Sequence, residues 1–223
     1  MVVNLRDYAS LVFDCDGVLL NSNKIKTEAF YEVALPFGSD YAKMLVDYHI
    51  EHGGISRFEK FKHFCDTILP DKQTAKSIDL VERYAEIVYE KLLASTVAPG
   101  LKDLRVATSS ARWYIVSGGK QSELRAVFKA KGLDQLFDGG IYGSPDDKIE
   151  IFKREIAAGN MILPALYLGD SKYDYYSSQQ NGLDFVFVSG WSEVSEWETF
   201  CEANSLNKII DLSNLIPVND TIK

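Results

Sequence analysis

Four short apolar runs stand out along the chain: Leu11-Val12-Phe13, Trp113-Tyr114-Ile115-Val116, Leu166-Tyr167-Leu168 and Phe185-Val186-Phe187-Val188. None alternates apolar with polar, so both faces of each run are expected to be buried, as in strands of a parallel sheet covered by helices on either side. The runs stop at small or acidic residues, in turn Asp14, Ser117, Gly169 and Ser189. Between them lie stretches of helical spacing, among them Gln121 to Lys131 and Ile149 to Ala158. Strand and helix in alternation predict a doubly wound α/β fold. Ligands of such folds bind beyond the carboxyl ends of the strands, which is where Asp14, Ser117 and Asp170 fall.

From about Asn21 to Thr96 the alternation stops and only helical periodicity remains. Phe58, Phe61, Cys65 and Ile68 share one face, and Leu80, Tyr84, Ile87 and Val88 another. Ala98-Pro99-Gly100 then punctuates the return to the α/β pattern. The organisation expected is an α/β core of residues 1–20 and 97–223 with an all-helical insert, residues 21–96, above the sheet end that carries Asp14.

Composition narrows the class. Of 223 residues, 46% are apolar or aromatic and 25% charged, which is the balance of a folded globular chain. A net charge of −8 argues against nucleic acid or an anionic membrane as the main partner, because basic residues must supply those attractions. No apolar segment approaches the roughly 18 residues of a membrane span. Acids at Asp7 and Asp14 interrupt the first apolar stretch, so no signal peptide is read there. Cys15, Cys65 and Cys201 form no CxxC or zinc spacing, and free thiols in the cytoplasm are the expectation.

The chemistry concentrates where strands end. Asp14 and Asp16, at i and i+2 before Gly17, can both face one site, and carboxylates are the preferred ligands of Mg²⁺. A further acid cluster, Asp170 to Asp174, follows another strand. Ser117-Gly118-Gly119 follows a third, and Lys148 stands at a predicted helix start. Gly119-Lys120 is no Walker loop, since Tyr114 stands where its first Gly belongs and Gln121 where Ser or Thr should bind Mg²⁺. His49 and His52 lack a third ligand for a metal. Cys15 lacks the arginine six residues on that a cysteine-based phosphatase needs, because Asn21 is there.

Asp14-x-Asp16-Gly17, Ser117, Lys148 and Gly169-Asp170-x-x-x-Asp174, in that order, resemble the four motifs of the haloacid dehalogenase superfamily. Within it the chain is similar to the helical-cap branch of phosphoglycolate phosphatases and β-phosphoglucomutase-like proteins. The resemblance implies a Rossmann-like core and an aspartyl-phosphate mechanism. In it, Asp14 is the nucleophile and Asp16 the proton donor and later the base. Ser117, the Gly118 amide and Lys148 bind the phosphoryl group. Asp14, Asp16 through its carbonyl, and Asp170 hold Mg²⁺, with Asp174 steadying the metal waters. Asp16 also argues against dehalogenation, since a halide leaves without a proton.

Ser56-x-x-Glu59 reads as a capping box, so a helix is expected to start at Ser56 behind Gly53-Gly54. Gly54-Ile55-Ser56-Arg57 is similar to the cap loop of β-phosphoglucomutase-like proteins, in which the arginine grips the substrate's second phosphate. Arg57 and Lys60 are therefore expected at the distal end of the substrate, and Lys26 is expected to bind substrate with them. Lys26 stands where those mutases usually carry a histidine, and Asp174 is present as in the phosphatases. The reading is a Mg²⁺-dependent phosphatase of a small phosphorylated metabolite, monomeric or homodimeric. A phosphomutase is its rival, and a silent binder of a phosphorylated ligand is the rival from another class.

Overall fold

In the computed structural model, which describes residues 3–70 and 75–216, each of the four apolar runs is a strand. They lie in β1 (Ser10–Phe13), β2 (Arg112–Lys120), β4 (Ala165–Gly169) and β5 (Asp184–Val188), joined by β3 (Gly140–Ser144) and β6 (Asn207–Ile209). Neighbouring residues point to opposite faces, as the pleat requires. Leu11, Phe13, Trp113, Ile115, Leu166 and Leu168 enter one apolar cluster, and Val12, Tyr114, Val116 and Tyr167 the other. Both clusters are needed because both faces of the sheet are covered.

The six strands are parallel, in the order β3-β2-β1-β4-β5-β6. The chain builds outward from β1 to β3, then crosses back to lay β4 on the other side of β1. That reversal opens a crevice at the carboxyl ends of β1 and β4. Phe13 is level with both Ile115 and Leu168, so Asp14 and Asp170 emerge into this crevice. β2 runs past its expected end at Val116 to Lys120, with a register shift against β3.

Among the described residues, four α-helices occupy the stretch 21–96: α1 (Asn23–Ala34), α2 (Ser39–Glu51), α3 (Arg57–His63) and α4 (Ser77–Ala94). The outgoing and returning chain run side by side. The Asn21 amide donates to the Thr96 carbonyl and the Ala98 amide to the Leu19 carbonyl, each at 2.9 Å. Phe30, Phe61 and Tyr84 pack together in this segment, tilted or edge-on, with ring centroids 4.5 to 5.7 Å apart, and they belong to the same cluster as Leu11 and Phe13. Helices and sheet thus share one core on that side. α3 starts behind Ser56, whose hydroxyl accepts from the Glu59 amide at 3.4 Å. Phe61 and Ile68 are buried as expected, while Phe58 and Cys65 are half-buried and pack against the cluster.

Five further α-helices occur among the described residues: α5 (Leu101–Ala107), α6 (Gln121–Ala130), α7 (Lys148–Ala157), α8 (Lys172–Gln180) and α9 (Trp197–Ala203). Trp197 stacks on Phe187 at 5.8 Å, and Trp191 packs against the shared core. No helix of the described residues is long and apolar enough to cross a membrane. Residues 1–2 and 217–223 of the expected core, and 71–74 of the expected insert, lie outside the described residues.

Candidate active site

Asp14, Asp170 and Asp174 each bring a carboxylate oxygen within 4.8 Å of the others, and all three are buried. One cation answers them. Lys148, the first residue of α7, reaches Asp14 Oδ1 at 2.8 Å and Asp174 Oδ1 at 2.5 Å. Burial works against its charge, but the two carboxylates outweigh burial and hold Lys148 protonated. Burial pushes the Asp14 carboxyl up to about 7 despite Lys148, with Asp174 and Asp16 adding repulsion. The Asp170 carboxyl is likewise pushed well above the usual carboxylate range, by burial and then by Asp14 and Asp174. More negative charge is gathered here than one lysine neutralises.

The carboxylates are not equivalent. Asp174 accepts five hydrogen bonds: Lys148 and the Tyr167 hydroxyl on Oδ1, and the Asp170 amide, Ser171 amide and Ser171 hydroxyl on Oδ2. With Ser171 it forms the capping box that starts α8. Its oxygens are occupied in positioning Lys148 and the turn that carries Asp170. Asp14 Oδ2 and Asp170 Oδ1, in contrast, accept from no described residue, while Asn23 donates to Asp170 Oδ2 at 2.7 Å. Gly17, with φ +77°, leaves the room that Asp170 and Asn23 occupy; a side chain there would run into both. Two free, hard oxygens in a net-negative pocket suit a divalent cation such as Mg²⁺.

Asp16 lies on the insert side. Lys26 of α1 donates to its Oδ2 at 2.5 Å and the Ser22 hydroxyl to its Oδ1 at 2.5 Å. Burial pushes the Asp16 carboxyl up, yet Lys26 and Ser22 outweigh it and hold the group below the usual carboxylate range. On the other wall, the Ser117 hydroxyl oxygen accepts from the Gly119 amide at 3.1 Å, leaving its own hydrogen to donate. Gly118 meets the insert directly: a side chain there would strike the carbonyl oxygen of Gly54. This close approach closes the helices over the crevice.

What remains is a cavity of about 60 Å³ lined by Asp14, Asp16, Asp170, Ser117 and Gly118 below and by Lys26, Phe30, His49, Ile55, Arg57, Lys60 and Tyr84 above. The structure therefore brings every residue expected at the site together around one space, except that Lys148 and Asp174 stand just behind it. Arg57 is not the free anion grip its loop suggests. Its guanidinium donates to both oxygens of Glu123 in α6, at 3.0 and 2.5 Å, and lies 4.6 Å from the Tyr84 ring centroid. Lys60 is buried rather than solvated, and its Nζ lies 2.6 Å from His49 Nδ1. Burial, then Lys26, brings its pKa down to about 7.

Sequence reasoning missed Glu123, His49, Asn23 and Tyr167 as parts of this site. Glu123 reads as a first-turn acid of a helix, and Tyr167 as one more apolar strand residue. Only the closure of the insert gives the first its partner, and only the position of Asp174 gives the second its own.

The family model described as haloacid dehalogenase-like hydrolase matches residues 8–171. No curated protein sequence matches the chain. Solved structures match almost end to end. A haloacid dehalogenase-like family hydrolase from Streptococcus pneumoniae superposes with a TM-score of 0.68 at 20% identity, covering 94% of this chain and 98% of that one. CbbY from Rhodobacter sphaeroides, in complex with xylulose-(1,5)bisphosphate, gives 0.69 at 17% identity, with 94% and 100% covered. A protein from Lactobacillus plantarum assigned as a phosphoglycolate phosphatase gives 0.67 at 17%, with 93% and 97% covered. At these identities the likeness is one of fold.

Proposed function

The chain belongs to the haloacid dehalogenase-like hydrolase family, and from that premise we propose that it is a phosphatase that cleaves the phosphomonoester bond of a small phosphorylated metabolite through an aspartyl-phosphate. The observation that carries this reading is the meeting of Asp14 and Asp170, from two different strand ends, in a buried pocket with free oxygens on both. The phosphate and bisphosphate bound by CbbY are in keeping with it.

Mg²⁺ fits the donor set. Asp14, Asp170 and the Asp16 carbonyl would hold it, with Asp174 behind them. When bound, such an ion neutralises phosphoryl charge and favours the ionised form of the carboxylates around it. The remaining chemistry belongs to the chain. An oxygen of Asp14 attacks phosphorus, the bond from phosphorus to the ester oxygen breaks, and the leaving oxygen takes a proton from Asp16. Asp16 then removes a proton from water, which attacks phosphorus and breaks its bond to Asp14, releasing inorganic phosphate. The Ser117 hydroxyl, the Gly118 amide and the third N–H of Lys148 hold the phosphoryl oxygens.

Asp16 must be protonated to begin this cycle, whereas Lys26 and Ser22 favour its ionised form. A phosphate dianion arriving beside Asp16 opposes that charge and raises its pKa. The helices over the crevice bring the carboxylate and the anion to short range, where each acts strongly on the other. The cap loop's arginine is the feature that favoured a mutase, and here it is engaged by Glu123. Hydrolysis is the better supported outcome.

The test is phosphate release by the purified chain from a panel of phosphomonoesters, with Mg²⁺ and with a chelator. Turnover that needs Mg²⁺ supports the reading. Isomerisation of a hexose 1-phosphate dependent on a bisphosphate overturns it in favour of the mutase.

A further inference from the structure

The two carboxylates with free oxygens in the pocket are each engaged through their other oxygen. Lys148 donates to Asp14 Oδ1 at 2.8 Å, and Asn23 donates to Asp170 Oδ2 at 2.7 Å. Asn23 is the first residue of α1, so a helix of the insert reaches a strand end of the core. Its Nδ2 also donates to the Trp191 carbonyl oxygen at 2.9 Å. That carbonyl can only accept, so the amide nitrogen must face it, and both N–H groups are used.

The anchor is itself held in place. The Ser192 hydroxyl donates to the Asp170 carbonyl oxygen at 2.6 Å. The Ser189 and Gly190 amides donate to the carbonyl oxygens of Ile209 and Ile210, each at 2.9 Å. A side chain at Gly17 would strike both Asp170 Oδ2 and Asn23 Nδ2, so the missing Cβ there is what lets the two groups meet.

A carboxylate with one oxygen tied to a donor offers a single oxygen to an ion. That suits Mg²⁺, which demands a compact, near-octahedral set of ligands, one oxygen from each group. Ca²⁺ takes a larger and looser shell, often with both oxygens of one carboxylate. We propose that Asn23 is a positioning residue that leaves Asp170 one free oxygen and thereby selects Mg²⁺ over Ca²⁺. Asn23 acts through Asp170 and is not itself a ligand. Lys148 restricts Asp14 in the same way but also serves the phosphoryl group, so Asn23 is the separable half of the device.

This inference rests on the divalent-ion reading of the site, and the experiment separates the two. Mg²⁺ and Ca²⁺ are titrated in turn into the purified chain by calorimetry, without substrate, and the ratio of their dissociation constants is read. The wild type is expected to prefer Mg²⁺. Asn23→Leu keeps the bulk of the side chain and removes both donors. It is expected to weaken Mg²⁺ binding by roughly tenfold or more, the scale for loss of a partner behind a metal ligand. Ca²⁺ is expected to bind as in the wild type or more tightly, so the preference shrinks by at least that factor. Thr27→Val is the control, because Thr27 Oγ1 donates to Glu193 Oε2 at 2.7 Å and joins the same helix to the same segment without reaching Asp170. It is expected to leave the ratio unchanged. Should Asn23→Leu fail to fold, Asn23→Ala gives the same reading. A wild type without preference, equal losses for both ions, no loss for either, or an equal shift in Thr27→Val overturns the inference and leaves the phosphatase reading standing. A wild type that binds neither ion overturns the metal assignment as well.

Discussion

Arg57 of α3 and Glu123 of α6 lie 66 residues apart in the chain and form a two-pronged, buried ion pair, with Nη1–Oε2 at 3.0 Å and Nη2–Oε1 at 2.5 Å. The Tyr84 ring flanks the guanidinium. A planar fork matched to a carboxylate is strong and directional. This pair joins the helices over the site to the sheet layer beneath, beside the contact of Gly54 with Gly118.

Glu123→Ala should therefore loosen the closed form and strand a buried guanidinium. Breaking one side of a buried pair costs about 3–5 kcal/mol. The expected outcome is a lower denaturation midpoint together with a raised KM, read from urea titration and steady-state kinetics. Unchanged values for both would show that other contacts hold the helices down.

Asp14 and Asp174 share Lys148 but should respond in opposite ways to amidation. Asp14→Asn removes a charge that its neighbours oppose, so stability should change by no more than about 1 kcal/mol while kcat falls by roughly 10⁴-fold or more. Asp174→Asn puts an amide where five donors converge. It should cost roughly 3 kcal/mol, since bonds to a charged acceptor are worth about 1.5–3 kcal/mol each. Thermal melts of the two variants check the contrast, and equal destabilisation would contradict it.

Mg²⁺ should raise the melting temperature of the wild type, because a ligand of the folded state alone stabilises by about 2.7 kcal/mol at a hundred times its dissociation constant. Asp170→Asn should abolish that shift. A melting temperature indifferent to Mg²⁺ and to chelator would remove the metal from the account.

Lys60 gives a pH signature of definite sign. Its folded pKa, about 7, lies below the unfolded value of 10.5, because burial opposes the charge. Between these values the unfolded chain binds more protons, so the Lys60 contribution to stability rises with pH from about 7 to about 10. Below pH 7 both states are charged and the penalty is fully present. Lys60→Met should thus be more stable than the wild type at pH 7, with the advantage shrinking toward pH 10. A difference independent of pH would contradict a buried, unpaired amine.

How far the sequence shows these features depends on their range. The four apolar strands are legible because both faces of each are buried, and their terminal residues deliver Asp14 and Asp170 to the crevice. β3 escapes because Gly140-Ile141-Tyr142-Gly143-Ser144 carries two glycines and only two large side chains, and β6 because it is a three-residue edge strand with no buried position. Asp16, Ser117 and Lys148 follow from their spacing to strand and helix ends. The partners of Arg57 and Lys60 do not. They depend on how α2, α3 and α6 pack, and no local pattern in the chain encodes that packing.

The central claim, that an oxygen of Asp14 becomes bonded to phosphorus, is tested most directly by acid-quenching the wild-type chain during turnover of a phosphomonoester and mapping phosphate-bearing peptides by mass spectrometry. The account predicts an acid-stable, base-labile phosphoryl group on Asp14, absent from Asp14→Asn. A phosphoryl group on Ser117, or turnover in Asp14→Asn equal to the wild type, would contradict it.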